Sequence, residues 1–317
     1  MSRLLFLYDI HYAAPYMRRS DTDPLGLGNG NLSLDVLSHL LNAVKARFGV
    51  LKIIAVGGDI ADHQLRQDNK TKNEGIYEKN YINYWASVAS VFSVVDTTGA
   101  TCIATTGNHE VLSSNGWYRK AICDNKHEEV LRTASRIVRI GEAWKSDNYR
   151  IFCLGASSDM NAPFECEYKI PVRDIETVKK YLENTPPEIP VFILSHYPLH
   201  ESAQRESPDA DGSLRALLRK YPNVIFIWGH NHASGIRRSD PFYDRILTEE
   251  EHGKPLGYTY LSGGCMSADY AGDVQGKALL VDISETGGAV YLTYLDQDAY
   301  PIGEHIELHF GASDNLR

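Results

Sequence analysis

Five short clusters of metal-type ligand residues punctuate this chain: Asp9-Ile10-His11, Gly58-Asp59-Ile60-Ala61-Asp62, Gly107-Asn108-His109-Glu110, Ser195-His196 and Gly229-His230-Asn231-His232. The last follows a β-branched and aromatic run, Val224 to Trp228, that reads as a buried strand. His230 and His232 are one residue apart. On an extended or turning backbone they reach neighbouring but different points, whereas a helical pair on one ion would be spaced by three or four. The pair therefore points to two adjacent ions, or to one ion and a substrate. Taken alone it is equally a polar turn carrying two surface histidines.

The other clusters strengthen the metal reading. Carboxylate oxygen, amide oxygen and imidazole nitrogen together suit divalent zinc, manganese, iron or cobalt, and the absence of thiols disfavours a structural zinc. Asp9, His11, Asp59, Asn108, His196, His230 and His232 are too many ligands for one catalytic ion that keeps a position open. Two ions sharing one bridging carboxylate fit the count, and such ions sit about 3.5–4 Å apart.

Something must position these residues. "RLLFLY", "LKIIAV", "TCIATT", "PVFILS" and "NVIFIW" read as strands, and each runs into one cluster. Helical spacing appears over Leu32–Phe48, over the long aromatic segment Glu74–Val95, near Val172–Glu183 and over Ser213–Tyr221, with further helical segments in Asn115–Arg139. Additional strands are expected near Tyr149–Leu154 and Cys166–Ile170. From about residue 257 the texture becomes "YTYLSGG", "KALLVDIS", "AVYLTYL" and "HIELHF", successive strands with tight turns. The expected organisation is one α/β domain over residues 1–317 with a strand-rich C-terminal third. Ligands gather at the carboxyl ends of strands in open α/β sheets, so the clusters are expected to converge at one edge of the sheet.

With those residues in their order, the chain resembles the calcineurin-like metallophosphoesterases. The resemblance rests on Asp9-x-His11, Gly58-Asp59-x-x-Asp62, Gly107-Asn108-His109-Glu110, His196 and Gly229-His230-Asn231-His232. It implies an α/β fold built as a two-sheet β-sandwich flanked by helices. It also implies two divalent or trivalent ions, manganese, iron or zinc. Asp9, His11 and His232 would hold one, Asn108, His196 and His230 the other, and Asp59 would bridge them. A metal-bridging hydroxide is the expected nucleophile. His109 is the motif histidine left over, expected to protonate the leaving oxygen, with Asp62 orienting it. His63 follows Asp62, so the "DRG" of protein phosphatases is missing, and Tyr8 stands where Ser or Thr is more usual. The implied activity is therefore hydrolysis of a phosphodiester or small organic phosphate. A nuclease of the same family and a non-catalytic protein-binding scaffold of the same fold are the alternatives. The scaffold would be expected to lack ligands, and here all seven are present.

Composition agrees with a small-molecule substrate. The chain has 317 residues and a formal net charge of -9, which disfavours broad nucleic-acid binding through a basic face. No run approaches the roughly 18 apolar residues of a membrane helix. "LLFLY" is too short for a signal peptide and reads as the first core strand. Cys102, Cys123, Cys153, Cys166 and Cys265 are scattered without a CxxC pair, which suggests reduced thiols and a cytoplasmic setting. "GLGNG" at Gly26–Gly30 has the wrong spacing for a dinucleotide loop. His200 is separated from His196 by Pro198, which excludes a helical metal pair. His305, Glu307 and His309 are expected to form one solvated strand face. His39, His127 and His252 read as structural. Arg18, Arg19, Arg66, Lys70 and Arg119 read as surface charge, though any of them could meet a phosphate.

Overall fold

The computed structural model describes residues 1–12, 34–61, 74–114, 128–158, 166–167, 169–199, 207–209, 211–230, 250–251, 254–266 and 277–311. Two sheets dominate them. The first is six-stranded, in the order β15-β14-β13-β1-β2-β3, with β1 Ser2–Leu7, β2 Ile53–Val56, β3 Thr101–Ala104, β13 Ala278–Ile283, β14 Ala289–Leu295 and β15 Pro301–His309. The second is five-stranded, in the order β12-β9-β8-β5-β4, with β4 Ile140–Lys145, β5 Arg150–Leu154, β8 Val191–Ser195, β9 Val224–Trp228 and β12 Thr259–Ser262. Four further strands, β6 Ser157–Ser158, β7 Cys166–Glu167, β10 Glu250–Glu251 and β11 Lys254–Pro255, make two small hairpin-like pairs.

Why two sheets pack face to face follows from period-two alternation. Leu4, Phe6, Ile53, Ala55 and Ile103 of the first sheet share one core with Ile151, Cys153, Phe192, Leu194, Ile225, Ile227 and Leu261 of the second. Their neighbours point outward and are also apolar, so each outer face needs a helical cover. Leu5, Leu7, Ile54 and Val56 pack on α1 (Leu34–Phe48) and α2 (Glu74–Asp96). Phe152, Leu154, Ile193, Phe226 and Trp228 pack on α5 (Val172–Glu183) and α6 (Ser213–Leu218). Helix α2 shows the reason for its docking: Tyr84, Trp85, Val88, Val91, Phe92 and Val95 recur at three- and four-residue spacing and are buried. Two shorter helices, α3 (Asn108–Ser114) and α4 (Glu128–Ala134), follow β3.

Within the first sheet β1, β2 and β3 run parallel, with Leu7 opposite Val56 and Val56 opposite Ala104. The C-terminal strands return as an antiparallel meander, and β13 pairs β1 with Arg3 opposite Asp282. That register places the Arg3 guanidinium 2.7 Å from one Asp282 oxygen and 3.2 Å from the other. In the second sheet β5, β8, β9 and β12 run parallel and β4 is antiparallel to β5.

The expected two-sheet sandwich with a strand-rich C-terminal region is the architecture observed. Two readings need correction. Helical segments were expected to fill Asn115–Arg139; among the described residues of that stretch, helix covers Glu128–Ala134 and Ala134 is followed by turns. Strand β4 was not expected. It is half-exposed along its length and carries a register shift between Glu142 and Trp144, so neither alternation nor an apolar run announces it. Along β15, His305, Glu307 and His309 are exposed while Ile306 and Leu308 lie half-buried, as the solvated-face reading required.

Candidate functional site

Asp9 and His11 lie just past β1, Asp59 just past β2, His196 just past β8 and His230 just past β9, while Asn108 and His109 open helix α3. The clusters therefore do not meet at one edge of one sheet, as first expected. They meet where the parallel ends of two sheets abut. An all-apolar strand satisfies either arrangement, because both its faces are buried in each.

The site is tight. The Asp59 carboxylate oxygen Oδ2 is 3.5 Å from His11 Nε2, 3.7 Å from His109 Nε2 and 3.3 Å from His196 Nε2. Asp9 Oδ1 is 3.9 Å from His11 Nε2. His196 Nε2 is 2.9 Å from Asn108 Oδ1 and 3.1 Å from His230 Nδ1. Two ligand groups result, His11–Asp59–His109 and Asp59–His196–His230, with the ligand atoms of each within 4.8 Å of one another. Asp59 belongs to both. His232 and Asp62 lie outside the described residues, as do His63, His200, Gly26–Gly30, and Arg18, Arg19, Arg66, Lys70 and Arg119, read as surface charge. His39 is exposed on α1, its Nε2 2.9 Å from Asp298 Oδ1.

Backbone geometry brings these side chains inward. Asp9, His11, Asp59 and His230 have positive φ, at 48°, 47°, 50° and 73°. A non-glycine residue held there costs about 1–3 kcal/mol, which surrounding bonds must offset. They do. His11 N–H donates to the Asp59 carbonyl at 2.9 Å, and His230 N–H donates to both Asp9 carboxylate oxygens at 3.1 and 2.9 Å. His109 N–H donates to Asp59 Oδ1 at 2.9 Å. His196 Nδ1 faces the Gly57 carbonyl at 3.0 Å, so with that nitrogen as donor its Nε2 is presented to the cluster.

One contributor was not singled out from sequence. Glu110 is fully buried, and its carboxylate accepts from the N–H groups of Asp59 at 2.8 Å, Ile60 at 2.9 Å and Gly107 at 2.6 Å, and from the Tyr84 hydroxyl. It thus ties helix α3, helix α2 and the turn after β2 into one unit. Its place in Gly107-Asn108-His109-Glu110 was visible, but its partners are between 3 and 51 residues away. Tyr197 is a second such residue. Its ring centroid lies 5.3 Å from that of His196 and 4.8 Å from that of His230, edge on to both.

Burial and charge set the protonation of the centre. Burial pushes Asp9 up to about 8. Burial would push Asp59 the same way, but His109, His196 and His11 around it hold it well below the usual carboxylate range. Burial pulls His196 down, yet Asp59, Asp9 and Glu110 together outweigh it and raise His196 to about 9. Glu110 is raised by its burial and by Asp59. A proton on His196 Nε2 would face Asn108 Oδ1, His230 Nδ1 and Asp59 Oδ2 together. A cation in that position meets amide oxygen, imidazole nitrogen and carboxylate oxygen, a donor set that suits borderline divalent metals. Three carboxylates, Asp9, Asp59 and Glu110, are buried in one place, which favours added positive charge. The residues present therefore fit metal ions.

A model of the calcineurin-like phosphoesterase family matches residues 2–234. The chain belongs to that family. Calcineurin-like phosphoesterases are in general metal-dependent hydrolases of phosphate esters, and the matched region contains every cluster described above. No curated protein matches the chain. Among solved structures it is similar to Vps29 of Chaetomium thermophilum, with 11% identity, a TM-score of 0.36, and coverage of 98% of this chain and 100% of that one. It is also similar to the phosphopantetheinyl hydrolase PptH of Mycobacterium tuberculosis, with 13% identity, a TM-score of 0.34, and coverage of 83% and 90%. Likenesses this distant carry nothing about substrate. Among the described residues of this phosphoesterase no helix is long and apolar enough to cross a membrane.

Proposed function

We propose that this calcineurin-like phosphoesterase is a dimetal hydrolase of a phosphodiester or small organic phosphate. One observation carries the reading: two ligand groups of mixed imidazole and carboxylate donors share Asp59. Asp9, His11 and His232 would hold one ion, Asn108, His196 and His230 the other, with Asp59 common to both. Bound there, the ions would supply Lewis acidity toward the phosphoryl oxygens and a nucleophile at neutral pH. Two divalent ions against Asp9 and Asp59 leave a positive surplus because Asn108 is neutral, so an acidic protein still attracts a phosphate ester. His109 would deliver the proton to the leaving oxygen, oriented by Asp62. The C-terminal meander is laddered onto β1, which supports reading residues 1–317 as one phosphoesterase domain.

Metal analysis paired with a hydrolysis screen tests this reading. The protein is expected to bind two ions, and Asp59→Ala to lose both, because among the described residues no other carboxylate serves both groups. With Mn²⁺, bis(p-nitrophenyl) phosphate is expected to be hydrolysed and phosphoserine peptides to be poor substrates. Retention of two ions by Asp59→Ala removes Asp59 from the shared position. A much higher kcat/KM on a phosphopeptide than on any diester overturns the substrate class.

A further inference from the structure

Tyr8 separates Leu7, the last residue of β1, from Asp9, and it is fully buried. Its hydroxyl crosses from the first sheet to the second and donates to the Ile227 carbonyl on β9 at 2.9 Å. Its own carbonyl accepts from Met266 N–H at 2.9 Å, beyond the end of β12. The ring is enclosed by glycines. A Cβ built on Gly57 or on Gly263 would overlap the Tyr8 ring, 1.9 or 2.1 Å from its nearest atom, and in each case the three nearest atoms all belong to that ring. A Cβ on Gly229 would strike the ring too, and would stand 2.8 Å from Asp9 Oδ2. None of these three glycines has positive φ, so backbone conformation does not require glycine there. Space does.

Gly57, Gly229 and Gly263 directly follow β2, β9 and β12, and the first two precede Gly58-Asp59 and His230. The ring therefore fills the gap between the sheets at the level where the ligands emerge. The two groups of ligands depend on that gap differently. Asp9, His11 and Asp59 follow β1 and β2, which are held together by ladder hydrogen bonds and by His11 N–H on the Asp59 carbonyl. The spacing of these three is set within one sheet, while His232, which the proposed assignment adds to their ion, comes after β9 in the chain. The other group takes Asp59 and Asn108 from the first sheet's side and His196 and His230 from the second's, so its spacing is the distance between sheets.

We propose that Tyr8 is a positioning residue whose ring, seated in a three-glycine cage, sets the sheet-to-sheet spacing of the metal centre and with it the affinity for the ion held by Asn108, His196 and His230. This rests on the dimetal reading above. The ligands' own chemistry is unchanged by Tyr8; what the ring fixes is how far apart the two sheets hold them.

The experiment is Mn²⁺ titration by calorimetry on the full chain, with stoichiometry, melting temperature, kcat and KM on bis(p-nitrophenyl) phosphate. Wild type is first checked for two ions. Fewer than two removes the dimetal reading and this proposal together, whereas two ions without hydrolysis removes only the activity. Tyr8→Phe keeps the ring and is expected to retain both affinities. Tyr8→Ser is expected to weaken the second ion by about 10–100-fold, the usual cost of losing support behind a ligand, and the first by less, because Asp9, His11 and Asp59 share one sheet. Gly263→Ala, which pushes on the ring without removing it, is expected to do the same, and to add no further loss in a Tyr8→Ser background. Equal weakening of both ions, or unchanged affinity in both Tyr8→Ser and Gly263→Ala, overturns the proposal. If Tyr8→Ser does not fold, Gly263→Ala against Tyr8→Phe decides it: selective loss in the first with retention in the second supports it, and any other pattern overturns it.

Discussion

His109 is the residue whose role the surrounding geometry leaves most open to experiment. Its Nε2 is 3.7 Å from Asp59 Oδ2 and its ring meets His11 edge on, with centroids 4.5 Å apart. That places it within reach of the ligand group containing His11, although it is more exposed than any of the other described histidines there. As a proton donor, its worth depends on the leaving group. An alkoxide needs a proton and a nitrophenolate does not. His109→Ala is therefore expected to lower kcat on an alkyl ester by about 10²–10⁴-fold. The loss on a nitrophenyl ester is expected to be much smaller, with two ions retained. Steady-state kinetics on both esters, with metal content measured on the same preparation, checks this. Equal losses point instead to stabilisation of phosphoryl charge. Loss of an ion makes His109 a ligand.

At the scale of elements, the decisive part is the start of helix α3. Asn108 and His109 project into the site from its first turn, and Glu110 in the same turn anchors that turn to the segment after β2. Four donors converge on the Glu110 carboxylate: three backbone N–H groups and the Tyr84 hydroxyl. An amide at this position has only one acceptor oxygen, and its NH₂ would face N–H groups. Glu110→Gln is expected to destabilise the protein by about 1–3 kcal/mol, the cost of a buried donor left unpaired. Tyr84→Phe removes one donor and leaves the acceptor satisfied by three others, so its cost is expected to be about 0.5–1.5 kcal/mol. Urea unfolding of both variants measures the difference. A Glu110→Gln variant as stable as wild type would show that the carboxylate is not what holds the turn.

For the molecule as a whole, the sandwich buries a polar centre between two apolar sheets, and its protons answer to that burial. Without ions, Asp9 is raised to about 8 and His196 to about 9, so both carry protons at neutral pH. Metal binding needs Asp9 ionised and the His196 Nε2 lone pair free, so it must expel them. Affinity is then expected to rise with pH through those two values and to level off above them. A saturating metal raises the melting temperature in proportion to the logarithm of its concentration over Kd. The gain on adding a fixed concentration of Mn²⁺ is therefore expected to be larger at pH 8.5 than at pH 6.5. Thermal melts with and without chelator read this directly, and a gain that is constant or falls with pH contradicts it.

The strand runs, the main helices and the order of the ligand clusters were legible in the sequence because local signals write them. Apolar runs need burial, three- and four-residue spacing makes a helix face, and a chain leaving a buried strand must turn polar. The family motif lies in those same turns, so Asp59, His196 and His230 could be named before their neighbours were known. Strand β4 was not legible, since its half-exposed residues and its register shift leave no periodic mark. What only the tertiary structure decided is which elements face one another. Apolar runs alone could not tell one sheet from two, because a strand apolar on both faces is satisfied in either; the two-sheet expectation came from the motifs. The sequence could not show that Glu110 meets Tyr84, or that Gly57, Gly229 and Gly263 enclose Tyr8, because those contacts join segments brought together by packing alone. The same packing makes Asp59 common to two ligand groups: only the closure of the two sheets puts His11 and His196 on the same carboxylate oxygen.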